Sequence, residues 1–442
     1  MRKTRLHSGI HGAASAAIAA ATLVGASAWA QGSGAAPGPG GPAWQGWIQA
    51  GAAYTFGSPA HWSQLRGRAE IAGSGRLGTG VKWKLSARAG YDAVYEGTDF
   101  YPSAVRSDQR SELELREAYL DFAHGDWEFR LGKQNIVWGE MVGLFFADVV
   151  SAKDMREFVL PEFEQIRIPQ WAVRAEWFGD DAHAEFVWLP APATDRIGEP
   201  GAEFYPHPPA IPGLGYDIEG EERPSRRFSN GGFGARGSML VGGWDLSAFV
   251  YRSPDSAATF YRTVLDVPEP TLVYQPRFDQ VKRVGGTLAK DFDGVVLKAE
   301  AVYTDGRKFG SSRADAPDGL LELRTVDWIV GADLTPADGW RVNGQFYQRA
   351  FLDYDSSIGL RRHENGASLL VSHDFGNGVE AEVLAISSLV RSDWMLRPAV
   401  IWKAGASSRV RVGLDLFGGE EFGLFGRYGN RDRAYAEYRY SF

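Results

Sequence analysis

In the stretch VKWKLSARAGY, Lys82, Lys84, Ser86 and Arg88 alternate with Trp83, Leu85, Ala87, Ala89 and Tyr91. Successive side chains on a β-strand point to opposite faces, so this stretch has one polar and one apolar face when extended. The pattern recurs along the chain. Gln64, Arg66, Arg68 and Glu70 oppose Leu65, Gly67, Ala69 and Ile71, and further on Glu380, Glu382, Arg409 and Arg411 hold polar sides. The periodicity predicts an all-β protein of about eighteen strands, sixteen at the least, from 43–56 to 432–442, with 126–137 and 272–291 among them.

Alternation alone would also suit a soluble sandwich, and the connections separate the two. After every second strand the link is tight, as in GSGRLG, HGD, GDD, VGG, FDG, TPADG, GNG and GASS. The intervening links are mostly long: 94–109, 138–168, 191–227, 253–271, 305–321, 352–362 and 418–431, with short ones at 57–62 and 390–393. Tight turns on one rim and long loops on the other is the layout of a transmembrane antiparallel up-and-down β-barrel. In lipid such a sheet has to close, because an open edge would leave backbone groups without partners.

The two ends agree with export to an outer membrane. Arg2, Lys3 and Arg5 precede an apolar run from Ala13 to Val24 and the small-residue site Ala28-Trp29-Ala30, so residues 1–30 are expected to be a cleaved signal peptide. Residues 31–42 form a Gly/Pro-rich linker, and 43–442 the barrel domain. After the leader no apolar stretch reaches the ~18 residues of a spanning helix, while aromatic residues make up 13% of the chain. The terminal YAEYRYSF sets Tyr438, Tyr440 and Phe442 on one face, which resembles the signal read by the barrel-assembly machinery of Gram-negative bacteria.

Several chemistries can be set aside. The chain has no cysteine, so it has neither disulfides nor a thiolate, and its eight histidines show no H-x-x-x-H or H-E-x-x-H spacing, so no metal or other cofactor is expected. A formal charge of −8, on an exported chain, argues against nucleic acid as a partner. Only the short linker precedes the first strand, which leaves no room for a plug domain. In RRFSNGG, Arg227 occupies the place where an outer-membrane phospholipase would need a histidine before Ser229, and a guanidinium cannot serve as the base. No constellation for an enzyme emerges.

The segment 138–168 breaks the rhythm. MVGLFFADVV is apolar yet too short to cross a bilayer as a helix. Ser151 and Asp154 make an S-x-x-D cap, predicting a short helix from Ala152 with Met155, Phe158 and Val159 on one face and Pro161 as its stop. A loop this apolar should not lie in water, where exposed apolar surface costs ~25 cal/mol per Å². It is expected to fold into the lumen as a constriction. The residues to watch on the loop are Trp138, Glu140, Phe145, Phe146, Asp148, Asp154, Arg156, Glu157, Glu162, Glu164 and Arg167. Basic wall candidates opposite it are Arg66, Arg68, Lys82, Lys84, Arg88, Arg409 and Arg411. Acidic loop against basic wall would set a transverse field across the opening.

The strings LGKQNIVWGE, ADVVSAKDMREF, LPEFEQIRIPQW and EFVWLP resemble a proteobacterial outer-membrane family catalogued as domain of unknown function 1302. The likeness is strong through 131–190 and diffuse elsewhere. Ser151-Ala152 replaces the family's Asn-Pro, and Ile166 stands at a small polar position, departures that bear on local loop geometry more than on membership. The resemblance implies a porin-like barrel of unestablished substrate, with passage of poorly soluble organic compounds one suggestion, and it transfers no catalytic residue.

These features together predict an outer-membrane channel for passive passage of a small organic solute. It would be a monomer or homotrimer, held among outer-membrane lipid and lipopolysaccharide and delivered there through Phe442. The alternatives are a closed barrel that binds a hydrophobic ligand or a periplasmic partner in a lipid-like transport path, and, third, an outer-membrane enzyme.

Overall fold

The computed structural model describes residues 42–442 except 79, 140, 142–145, 209–213 and 266–269. The leader, most of the linker, Glu140 and Phe145 therefore lie outside the described residues. The rest of the chain builds a closed barrel of eighteen antiparallel strands.

The first nine strands are β1 (Ala43–Thr55), β2 (His61–Leu77), β3 (Val81–Asp92), β4 (Ser111–His124), β5 (Trp127–Gln134), β6 (Gln170–Phe178), β7 (Ala182–Leu189), β8 (Gly232–Val241) and β9 (Trp244–Pro254). The second nine are β10 (Gln280–Asp291), β11 (Val295–Asp305), β12 (Thr325–Leu334), β13 (Trp340–Phe351), β14 (His363–Asp374), β15 (Val379–Ser388), β16 (Asp393–Ala404), β17 (Ser408–Gly419) and β18 (Arg433–Ser441). Each pairs with the next in sequence, and β1 pairs with β18 from Trp47↔Ser441 to Thr55↔Arg433, which closes the wall. Closure leaves no end strand to template aggregation or to sit unpaired in lipid.

The tight turns gather on one rim. Between β8 and β9 the turn is two residues long, with Val241 paired to Trp244 and with Gly242 and Gly243 at φ 58° and 78°. Two successive positive φ angles define the turn whose twist matches a hairpin, and glycine adopts them without steric cost. The long connections rise from the other rim, and they build structure of their own. A hairpin, Thr259–Leu265 with Thr271–Arg277, is extended by Gly215–Ile218, and a short helix α1 (Ser103–Gln109) leads into β4. The segment 272–291, expected as one strand, is thus two: one strand of this hairpin, then β10 in the wall. Extended alternation looks the same in both settings, so periodicity could not separate them.

The outward face carries the apolar half of the alternation. Leu85, Leu131, Phe186, Val250, Val284, Val330 and Val400 are all exposed large hydrophobics. Trp44, Trp402, Tyr440 and Phe442 stand at the short-turn rim, while Tyr54, Trp62 and Tyr91 stand at the other. Such a belt, flanked by aromatic girdles, is stable against acyl chains and costly in water. The protein is an outer-membrane barrel.

The buried apolar core lies within the barrel, where loops meet the wall. Ile136, Trp138, Ala147 and Val150 pack on Val187, Leu189, Phe249, Tyr251 and Val302 of β7, β9 and β11. Phe158, Leu160 and Phe204 pack on Ile386, Met395, Phe417, Phe425 and Tyr428. Strand β5 ends at Gln134, short of the 137 expected, because Ile136 already turns inward to join the first of these clusters.

Candidate functional site

The loop from Gln134 to Gln170 crosses the lumen and is held at both walls. On one side its hydrogen-bond donors meet glutamates. Trp138 is fully buried and donates through Nε1 to Glu185 Oε2 at 3.1 Å, its ring tilted on Phe249. Glu300 of β11 accepts the backbone N–H groups of Met141, Phe146 and Ala147, each at 2.9 Å. The ring of Phe146 meets Tyr347 edge-on.

The local path differs from the capped helix expected at Ala152. Ser151 spends its hydroxyl on the carbonyl of Ile136, at 2.8 Å, and caps nothing. Ala152-Lys153 instead pairs antiparallel with Arg167-Ile168, and Asp154 bridges to Arg196 of the next long loop. Phe158 sits at φ 54°, which no α-helix accommodates. The short helix of the loop, α2 (Phe163–Ile166), follows Pro161 rather than ending there. Met155, Phe158 and Val159 do share one aromatic cluster, reached through a turn instead of helical spacing.

On the opposite wall the loop's acceptors meet arginines. Glu157 lies against Arg66 and Arg68 and also accepts from Gln64 Nε2 at 2.8 Å. Burial alone would push its carboxyl up, but the two guanidinium groups hold it well below the usual carboxylate range. Glu162 contacts Arg409 and Arg439 and is likewise lowered against its burial. Three more arginines hold loop carbonyls: Arg397 on Leu160 at 2.8 Å, Arg88 on Gln165 at 3.1 Å and Arg116 on Arg167 at 2.7 Å. Arg116 also reaches the carbonyl of Glu164, whose side chain is exposed.

The remaining singled-out residues sit elsewhere in this network. Asp148 pairs with Arg167 within the loop, at 3.0 Å, and Asp154 with Arg156. Asp154 is lowered because Arg156 outweighs its burial. On the wall, Arg411 pairs with Glu382, while Lys82 and Lys84 lie toward the short-turn end of β3 and pair with Glu128 and Glu117. Arg116, Arg397, Arg439, Glu185 and Glu300 were not singled out from sequence. Each occupies the polar side of an alternating strand, but nothing local marks which polar residue meets the loop.

The fit is close. Among the described residues, two partly open spaces of about 40 Å³ and 20 Å³ lie between loop and arginine wall, bounded by Arg66, Glu157 and Arg433 among others. A water needs roughly 10–15 Å³, so each space holds a few waters at most. A second long loop is tied to the same wall. Its Glu203 accepts from Thr55 and Tyr101 and pairs with His61, at 3.0 Å in each case.

The barrel is similar in fold to outer-membrane porins of known structure. OccAB1 of Acinetobacter baumannii superposes with a TM-score of 0.57 at 9% identity, covering 91% of this chain and 96% of that one. OccAB4 of the same organism gives 0.53 at 9%, over 92% and 99% of the two chains. OccD3 (OpdP) of Pseudomonas aeruginosa gives 0.52 at 10%, over 91% of each. At such identities the likeness is one of architecture, that of a porin-like barrel. No curated protein matches the sequence. The family described as Protein of unknown function (DUF1302) matches residues 63–325, more than half of the chain and the whole of the lumen-crossing loop. The protein belongs to the DUF1302 family.

Proposed function

We propose that the protein is a gated channel for a small organic solute, poorly soluble compounds included, with residues 138–168 as the element that narrows and opens the path. The observation that carries this reading is the two-walled suspension of the loop. Its N–H groups hang on Glu300 and its carboxylates and carbonyls on the arginines, so it spans the lumen without being part of the wall. Such a bridge can be displaced without breaking a strand ladder, and passage requires that displacement. The field between glutamate and arginine walls would orient a dipolar solute as it passes. Purified protein in a planar bilayer is expected to show small, gated currents, and deletion of 141–160 to give larger, steady ones. Absence of current from both folded proteins would sink the channel reading.

A second reading has its own support. The aromatic cluster around Phe158, Phe204 and Tyr428 puts a packed apolar surface inside the barrel, as a hydrophobic ligand-binding barrel would require. Lipid-like material retained through purification, together with no current from the loop deletion, would favour it.

A further inference from the structure

Strand β4 is much longer than the strand after it. Its pairing with β5 begins at Ala118↔Lys133, whereas its pairing with β3 runs on to Ser111. Among the described residues, Ser111–Glu117 has no strand on its far edge. These seven residues span about 20 Å along the strand. The neighbouring β5, β6 and β7 are all short, with 8, 9 and 8 residues, so the wall has a notch above them.

The notch opens at the long-loop rim, where Tyr91 pairs with Ser111, and runs down into the lipid belt. Leu113 and Leu115 point outward, Leu113 being 86% exposed, and β3 beside them presents Tyr91 outward at its paired end. Unpaired backbone at that depth has to face something other than acyl chains. One carbonyl is capped by a side chain: Lys133 Nζ donates to Leu115 O at 2.5 Å. Against the rest lies a half-open cavity of about 590 Å³, bounded on its far side by the long-loop residues Arg196, Glu219 and Arg223. Ser111, Glu112, Leu113 and Glu114 all bound it, although their side chains alternate faces, so β4 meets the cavity by its edge. On the lipid side, directly below the notch, an apolar groove of about 620 Å³ runs between Leu85, Leu131, Trp171 and Pro190.

We propose that the notch is a lateral portal, through which an amphiphilic molecule passes between the outer leaflet and the cavity behind β4. The groove receives the apolar body and the cavity the polar head. Three arginines and six carboxyl side chains line the cavity, so an uncharged or cationic head is favoured over a carboxylate. The Arg196–Glu114 ion pair, at 3.1 Å, joins the inner loop to the β4 edge across the notch and acts as its latch. This proposal names a route and solute class for the channel proposed above and rests on that reading for what happens beyond the cavity.

The test uses the full barrel in liposomes whose outer leaflet holds a long-chain alcohol bearing a photoactivatable diazirine. Illumination followed by mass spectrometry is expected to label 197–205 inside the cavity as well as the outward belt. The chain has no cysteine, so Leu113→Cys gives a single thiol, and a bulky maleimide on it is expected to abolish the cavity label while belt labelling persists. Arg196→Ala is expected to increase the cavity label. The matching alkanoic acid should label the cavity less than the alcohol, and equal labelling would overturn the assigned head-group class. Labelling confined to the belt, or cavity labelling indifferent to the maleimide, overturns the portal. Bilayer current is recorded separately, so a missing current with a labelled cavity would remove the channel and leave the portal standing.

Discussion

Arg66 Nη2 lies 2.9 Å from Glu157 Oε2, a contact between the second strand and a loop residue 91 positions later. It joins the wall to the lumen-crossing loop, and Gln64 and Arg68 of the same strand add to it.

Replacing Glu157 by Gln takes from Arg66 its ion-pair partner, while Arg68 keeps Glu112 at 2.8 Å. Breaking a buried pair by removing one partner costs about 3 kcal/mol, and here the cost falls on the attachment of the loop. The variant is expected to fold, to become sensitive to protease within 141–160, and to carry larger and noisier bilayer currents. An unchanged cleavage pattern would show that the loop is held elsewhere.

The pH dependence of that attachment follows from the same pair. Glu157 is held below its ordinary value of 4.5, so the stabilisation is complete above that value and fades as pH falls toward the depressed one. Loop protection is therefore expected to be flat between about pH 5 and pH 8 and to be lost only in stronger acid. In Glu157→Gln this acid transition should shrink to the part that Glu162 contributes through Arg409 and Arg439. Proteolysis followed by mass spectrometry across the pH series measures both.

Glu300 accepts three backbone donors, which no single neutral side chain can replace in full. Glu300→Ala would leave buried N–H groups unpaired at about 1–3 kcal/mol each, whereas Glu300→Gln keeps one carbonyl acceptor and should lose less. Hydrogen exchange at Met141, Phe146 and Ala147 is expected to quicken in the order wild type, Gln, Ala. Equal protection in all three would show that the carboxylate is incidental.

Gly46 forms a mutual pair of backbone hydrogen bonds with the terminal Phe442, 2.9 Å each way. A Cβ there would come within 2.6 Å of the Glu70 carbonyl and 2.7 Å of the Phe442 ring. Gly46→Val is expected to cost about 1–3 kcal/mol in strain and displace the ring. Heat-modifiable electrophoretic mobility should show less folded barrel assembled in the outer membrane, with Phe442→Ala as comparison. Equal yields would separate the ring's seat from its role in assembly.

Much of the architecture can be read locally. Alternation at Lys82–Tyr91 or Arg409–Arg411 assigns faces because side chains two apart always share one. Gly242-Gly243 marks its turn because few other residues take those angles. The apolar run after Met141 indicates a loop that avoids water. Local signals failed where a distant partner decided the outcome. The Ser151 cap yielded to the Ile136 carbonyl and the Arg167-Ile168 strand, and 272–291 split because the first part pairs above the membrane and the second within the wall.

The sequence by itself therefore determined the strand count to within a pair or two, the rims and the polar face of most strands, since these depend on period and turn chemistry over a few residues. Only the tertiary structure decided what the polar faces meet. Closure of β1 on β18 sets Arg397, Arg409, Arg433 and Arg439 beside Arg66, Arg68 and Arg88, forming one wall from the two ends of the chain. The loop is then held largely through its own backbone, at Glu300, Arg88, Arg116 and Arg397, and main-chain acceptors and donors leave no trace in residue identity. The notch beside β4 is of the same kind, because it arises from where the following strand turns inward.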